Sequence, residues 1–292
     1  MTTALLILAV VFTALMMFGV PVSFSIGIAT LLALFTVTPT PNTALIVSAQ
    51  RVASSLDSFT LVAIPLFILA GGLMNTGGIA MRLIDLAKVL VGWLPGSLAQ
   101  ISVVANALFG AISGSAVASA ASVGATLSPL QRQAGYNMPI CAAANVASSP
   151  CGLLIPPSGA LIVYSLISGG TPVDVLFVAG YIPGILMAGS VMVWLAIIAR
   201  RGELPTDVRR YSMNEAAHIF WRALPALAMI AIIMGGIVGG IFTATEAAGV
   251  AALYTLVLGL LYRSLTLKTL VGSVINASVG TAVVMLMVGV SM

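Results

Sequence analysis

Two stretches of this chain set oxygen-bearing side chains beside residues that interrupt helices, inside long apolar runs. The first, GAISGSAVASAASVGATLSP at 110–129, is almost wholly Gly, Ala, Ser, Val and Thr, with Ser113 and Ser115 flanking Gly114. The second, NVASSPCGLLIPPSGALIVYSLISGG at 145–170, carries Pro150, Gly152, Pro156, Pro157 and Gly159 at its centre. Proline has no N–H to donate and clashes with the carbonyl of the preceding turn, so a helix through this stretch must break. The break frees carbonyls at Gly152, Leu153, Leu154 and Ile155. Hard cations take oxygen ligands, and carbonyls of an unwound helix with serine hydroxyls beside them suit Na⁺. In the first stretch, Ser113 and Ser115 add oxygen at a turn. The arm beginning after Ser115 offers free N–H groups and a positive dipole end to an anionic substrate group. Side chains this small let two arms and a neighbouring broken helix approach backbone to backbone.

The elements that must hold these stretches follow from composition. Of 292 residues, 60% are hydrophobic and 6% are charged, against about 25% charged in soluble domains. So few charges cannot cover a surface facing water, and the class is an all-α polytopic membrane protein. The apolar runs are too long for the roughly ten-residue alternating strands of a membrane barrel. No secretory signal is evident at the N-terminus. The net charge of +4 is spread over membrane edges, where it sets orientation, and gives no nucleic-acid signature. Cys141 and Cys151 have neither metal nor redox spacing and fit small packing positions.

Apolar segments fall at 4–18, 21–38, 60–76, 97–130, 138–168, 175–199, 222–241, 244–262 and 278–292. Between them, 42–58 and 78–96 have helical spacing with a polar side, as expected of helices along the interface. The stretch 200–222 holds Arg200, Arg201, Arg209, Arg210 and Arg222, so the positive-inside rule places it in the cytoplasm. His218 also falls in this polar stretch, away from the apolar runs. Counting back from that anchor, Arg82, Lys88 and Arg132 share the cytoplasmic side only if 97–130 enters and leaves on one face. Folded at its middle, each arm is about 22 Å, short of the roughly 30 Å hydrocarbon core. A re-entrant helical hairpin with its tip at Ser113–Ser115 is predicted. Such a tip is tolerated where protein or ligand satisfies its polar groups.

Segment order also repeats. Residues 16–35 resemble 235–256, and 51–74 resemble 273–292, at one shift of roughly 222 residues. Five crossings lie between, so the second unit is inverted, and the N-terminus is periplasmic. Inverted repeats are a signature of secondary transporters. The expected organisation has a first repeat at 1–199, with scaffold helices to 76, the hairpin at 97–130, a broken helix at 138–168 and a helix at 175–199. A cytoplasmic linker at 200–221 follows, then the start of a second repeat at 222–292. By extension of the repeat, roughly 130 further residues are expected.

Together, GAISGSAVASAASVGATLSP, NVASSPCGLLIPPSGALIVYS and GGIVGGIFTATEAAGVAALY resemble the large membrane subunit of TRAP (tripartite ATP-independent periplasmic) transporters, permeases of dicarboxylates and sialic acid, over about the first two-thirds of the family's length. The resemblance implies an elevator-type transporter of the bacterial inner membrane, with Na⁺ as coupling ion and no other cofactor. It implies a small four-helix membrane subunit and a periplasmic substrate-binding protein as partners, and a small organic acid as substrate. It places a sodium site on Ser113, Ser115, Gly152, Ile155 and Pro157, mostly through carbonyls. Gly114, Asn145, Ser148, Ser149, Pro156 and Ser158 are possible neighbours. A proton-coupled or uncoupled anion permease is the alternative within the class. An intramembrane serine enzyme would need a base near Ser113 or Ser115, and neither stretch contains His or Lys.

Overall fold

The computed structural model describes residues 2–76, 79–168, 171–206 and 211–291, and its regular elements are all helices among them. Arg209 and Arg210 lie outside the described residues. Four described helices are long and apolar enough to cross a bilayer: Val173–Arg200, Met213–Val238, Ala244–Leu261 and Leu267–Ser291. Two bent pairs pass the same test together. They are Pro41–Leu56 with Phe59–Asn75, and Met138–Leu154 with Gly159–Ser165, the latter bent by 50°. The chain is a multi-pass membrane protein.

The chain divides into two compact units, residues 1–62 with 278–292, and residues 63–277. In the first, α1 (Thr2–Met17) and α2 (Val22–Val37) form an antiparallel pair across the turn at Gly19. Each has 16 residues, about 24 Å at helical rise, shorter than a full hydrocarbon core. Thr40 caps α3 (Pro41–Leu56), its hydroxyl accepting from the Thr43 N–H at 3.3 Å. Proline in the first turn of α3 costs nothing, because the N–H it lacks would have no helical partner. The last turns of α14 (Leu267–Ser291) pack here, where a Cβ on Gly27 would stand 3.3 Å from Val290 Cγ1.

In the second unit, α4 (Ala63–Thr76) lies along α13 (Ala244–Leu261), and α5 (Ile79–Val91) packs against α6 (Ser97–Ser113) and α12 (Met213–Val238). Helix α5 buries Leu83, Ile84, Leu86 and Ala87 against protein while keeping an Asp85–Lys88 ion pair of 2.8 Å. The Arg82 guanidinium stacks 3.6 Å from the centre of the Tyr262 ring. Then come α7 (Ala116–Gln133), α8 (Met138–Ser148), α9 (Cys151–Leu154), α10 (Gly159–Ile167) and α11 (Val173–Arg200).

Two boundaries differ from the sequence expectation. Helix α12 begins at Met213, nine residues before the apolar run, because the Ser212 N–H donates to Glu215 Oε2 at 3.1 Å and so caps the polar turn. His218 therefore lies on a helix rather than in a loop. Helix α14 is continuous from Leu267, so the stretch before 278 is helical too, carrying Lys268 in its first turn. In the repeat alignment its counterpart is α3 with α4, which bend at Leu56–Phe59.

Candidate functional site

Helices α6 and α7 are the two arms of a hairpin. Gly114 ends α6 in the left-handed conformation (φ 61°), accessible to glycine at no steric cost. Ser115 is extended and caps α7, its Oγ accepting from the Ala118 N–H at 3.3 Å. Ser113 Oγ lies 3.4 Å from both the N–H and the carbonyl of Ser115. The arms have 17 and 18 residues, about 26–27 Å. At the open end, Gln131 Nε2 donates to the Leu98 carbonyl at 3.1 Å and Ser102 Oγ at 3.0 Å, tying the arms together. Both ends of the hairpin meet the Arg200 end of α11. A Cβ on Gly96 would stand 3.3 Å from Ala199 Cβ, and Tyr136 is buried among Leu195, Ala199 and Leu204.

A buried amide holds the hairpin closed. Asn106 Nδ2 lies 2.8 Å from Ser148 Oγ, 2.9 Å from Asn145 Oδ1 and 3.0 Å from the Asn145 carbonyl, three acceptors for two hydrogens. Ser119 Oγ, on the other arm, donates to Asn106 Oδ1 at 2.8 Å. Asn145 Nδ2 donates to the Ala120 carbonyl at 2.8 Å. Lipid offers such groups no partners, so they must satisfy one another. Ser149 Oγ bonds its own helix, at the Val146 carbonyl. Asn145, Ser148 and Ser149 are thus committed to the protein.

The second stretch breaks after α9. Ile155 and Ser158 are extended, and the Pro156–Pro157 peptide between them is cis. Because Pro156 and Pro157 lack N–H groups, the carbonyls of Gly152 and Leu153 have no i+4 donor. Pro156, Pro157 and Ser158 are buried. Ser158 is 0% exposed, and its Oγ has no hydrogen-bond partner.

The hairpin is pressed against this break. A Cβ on Gly110 would collide with Gly152 Cα, and one on Gly152 with Gly110 Cα. At the tip, a Cβ on Gly114 would stand 3.4 Å from the Gly159 N. From behind, Gly71 of α4 admits Ser113, whose Cα would lie 2.7 Å from an added Cβ. On the far side of the break, a Cβ on Gly180 would strike the Leu154 carbonyl oxygen, and one on Gly184 would stand 2.6 Å from Ile155 Cγ1. The tip (Ser113–Ser115) and the break (Gly152–Ser158) are therefore brought together. Asn106, Ser119, Gly71, Gly180 and Gly184 join them without having been singled out from sequence, although an Asn within an apolar arm and the G-x-x-x-G at 180–184 were signals. Glu246 is exposed and serves α13 as a capping box: it accepts the Thr243 N–H at 2.8 Å, and its own N–H donates to Thr243 Oγ1 at 3.3 Å. Among the described residues, no three of His, Cys, Asp and Glu gather as a metal cluster.

The chain is 50% identical over 281 residues to the uncharacterized protein YgiK of Salmonella typhimurium, covering 96% of this chain and 64% of that one. It is 39% identical over 291 residues to the sialic acid TRAP transporter permease SiaT of Haemophilus influenzae, covering 98% and 46%. It is 40% identical over 243 residues to the 2,3-diketo-L-gulonate TRAP transporter large permease YiaN of Escherichia coli, covering 83% and 57%. The chain thus spans about half to two-thirds of the length of these relatives. The family described as tripartite ATP-independent periplasmic transporter, DctM component, matches residues 9–292, so the chain belongs to that family of transport proteins of the inner membrane.

Proposed function

We propose that this chain forms the larger part of the transport subunit of a Na⁺-coupled uptake system for small organic acids. The observation that carries the reading is the break between α9 and α10. It sets two donor-free carbonyls and a buried, unpartnered Ser158 hydroxyl beside a hairpin tip with two more hydroxyls. A set of neutral oxygens suits a hard monovalent cation. The ligands in this reading are Ser113, Ser115, Gly152, Ile155 and Pro157, with Ser158 as a further oxygen. The N-terminus of α7, behind Ser115, suits a carboxylate. Sialic acid and 2,3-diketo-L-gulonate, in the names of two relatives, are both acids. A periplasmic binding protein that delivers the acid and a small membrane subunit are the partners this reading requires. The stretch 200–222 is cytoplasmic and the N-terminus periplasmic. Proton coupling is less well supported: Glu246 is exposed and engaged as a helix cap.

The test uses the full-length protein in proteoliposomes. Ser113→Ala combined with Ser115→Ala should raise the Na⁺ concentration for half-maximal uptake while protein abundance holds. Uptake that ignores Na⁺ in the unaltered protein would overturn the reading.

A further inference from the structure

We propose that Gly180 and Gly184 of α11, neither of them a ligand, are positioning residues that decide which carbonyls of the break face the hairpin. The inference rests on the break being the cation site proposed above. Within a helix, peptide planes are held by i→i+4 bonds. At Gly152 and Leu153 the carbonyls lose that support, because the residues four on, Pro156 and Pro157, have no N–H, although the Ile155 N–H still donates to Cys151. Their N–H ends are held by the turn before them, and the carbonyl ends rest on contacts from outside the segment.

Helix α11 supplies them. The Leu154 carbonyl oxygen lies against Gly180, in the space where a Cβ would be. The same peptide plane carries the Ile155 N–H, which donates to the Cys151 carbonyl at 2.9 Å. This plane is therefore fixed at both ends, with its oxygen turned to α11 and taken out of the ligand set. One turn along, Gly184 seats Ile155, with its N 3.4 Å and its Cγ1 2.6 Å from an added Cβ. Residues four apart lie on one helix face, so a single ridge bears on two consecutive residues. Across the segment, α6 presents the same spacing, with Gly110 against Gly152 and Gly114 against the Gly159 N. The break is clamped between two glycine ridges. Small-residue ridges alone signify close packing. Ser158 indicates that this one serves a ligand, since its hydroxyl is fully buried within the clamp and has no partner.

The two glycines differ in what they exclude. At Gly180 the obstacle is a backbone oxygen. At Gly184 it is the end of an isoleucine side chain, and Ile155 borders a cavity of about 360 Å³ shared with Leu108, Tyr181 and Met234, into which it can shift. Gly189, on the same helix, has nothing within 4 Å of an added Cβ and serves as the control.

The experiment measures Na⁺ dependence of uptake by the full-length protein. Gly180→Ala should raise the half-maximal Na⁺ concentration by about tenfold, the scale seen when supports of a metal site are altered, with the uptake rate at saturating Na⁺ retained. Gly184→Ala should give a smaller shift in the same direction, and Gly189→Ala none. If Gly180→Ala does not accumulate, Gly184→Ala decides: an unchanged Na⁺ midpoint overturns the inference. A shift with Ser113→Ala/Ser115→Ala but none with the α11 variants refutes the positioning role and leaves the site standing. Na⁺-independent uptake in the unaltered protein removes the site and this inference with it.

Discussion

Gly110 of the hairpin and Gly152 of the broken helix meet backbone to backbone, each occupying the space a Cβ on the other would need. Contact this close between helices requires glycine on both sides. A helix-favouring substitution should accordingly harm the protein here. Gly110→Ala gains helix propensity worth about 1 kcal/mol, but forcing two backbones apart costs about 1–3 kcal/mol and displaces the tip. We expect a lower unfolding temperature and reduced abundance. Gly235→Ala, where nothing lies within 4 Å, should be neutral or stabilising. Equal tolerance of both would show that the helices separate freely.

Both ends of the hairpin should open on one side of the membrane. Gln100 and Gln131 are buried, so cysteines there would not report. Trp93, which is 57% exposed, and Gln133, which is also exposed, are the better positions. Cysteines at Trp93 and at Gln133 should react with an impermeant reagent from the same side as one at Arg201. Labelling of the pair from opposite sides would mean that 97–130 crosses once.

The amide cluster at Asn106 should be strongly coupled. Asn106→Ala takes from Asn145 Oδ1 the amide that donates to it at 2.9 Å and leaves Ser119 Oγ only the Asn106 backbone carbonyl at 3.1 Å. The orphaned Asn145 oxygen costs about 1–3 kcal/mol. Ser119→Ala, which removes one donor, should cost about 1 kcal/mol. The double variant should be less destabilised than the sum, since the two share one bond. Thermal unfolding in nanodiscs measures all three, and strict additivity would contradict the network.

Ser158 yields a prediction that depends on Na⁺. Without Na⁺, Ser158→Ala removes an unsatisfied buried hydroxyl and should raise the unfolding temperature. With Na⁺, the unaltered protein should gain stability as ligand binding to the folded state dictates, and the variant should gain less. A variant destabilised equally in both conditions would make Ser158 an ordinary packing residue.

Sequence alone disclosed whatever depended on local covalent chemistry. Pro156 and Pro157 announced the break, and Gly114 between two serines announced a turn, because these residues restrict the backbone wherever they stand. The capping box at Ser212 and Glu215 was equally local but went unread in the linker assigned to 200–221; its S-x-x-E spacing sets the start of α12 ahead of the apolar run. The partners of Asn106 and the seat of Leu154 on Gly180 were of another kind. They join residues about 39 and 26 positions apart, and which glycine faces which carbonyl depends on helix rotation, which an apolar run cut off from water on every side does not encode.

The Asn106 cluster also favours one order of assembly over others. As the chain leaves the ribosome, α6 enters the bilayer with an amide that lipid cannot satisfy. Its first available partner is Ser119, 13 residues later, so closing the hairpin on itself is the earliest way to shelter Asn106. Asn145 and Ser148 emerge only afterwards. Entering the bilayer as a closed pair is thus the order in which α6 and α7 shelter this amide soonest, with the polar seam completed when α8 arrives.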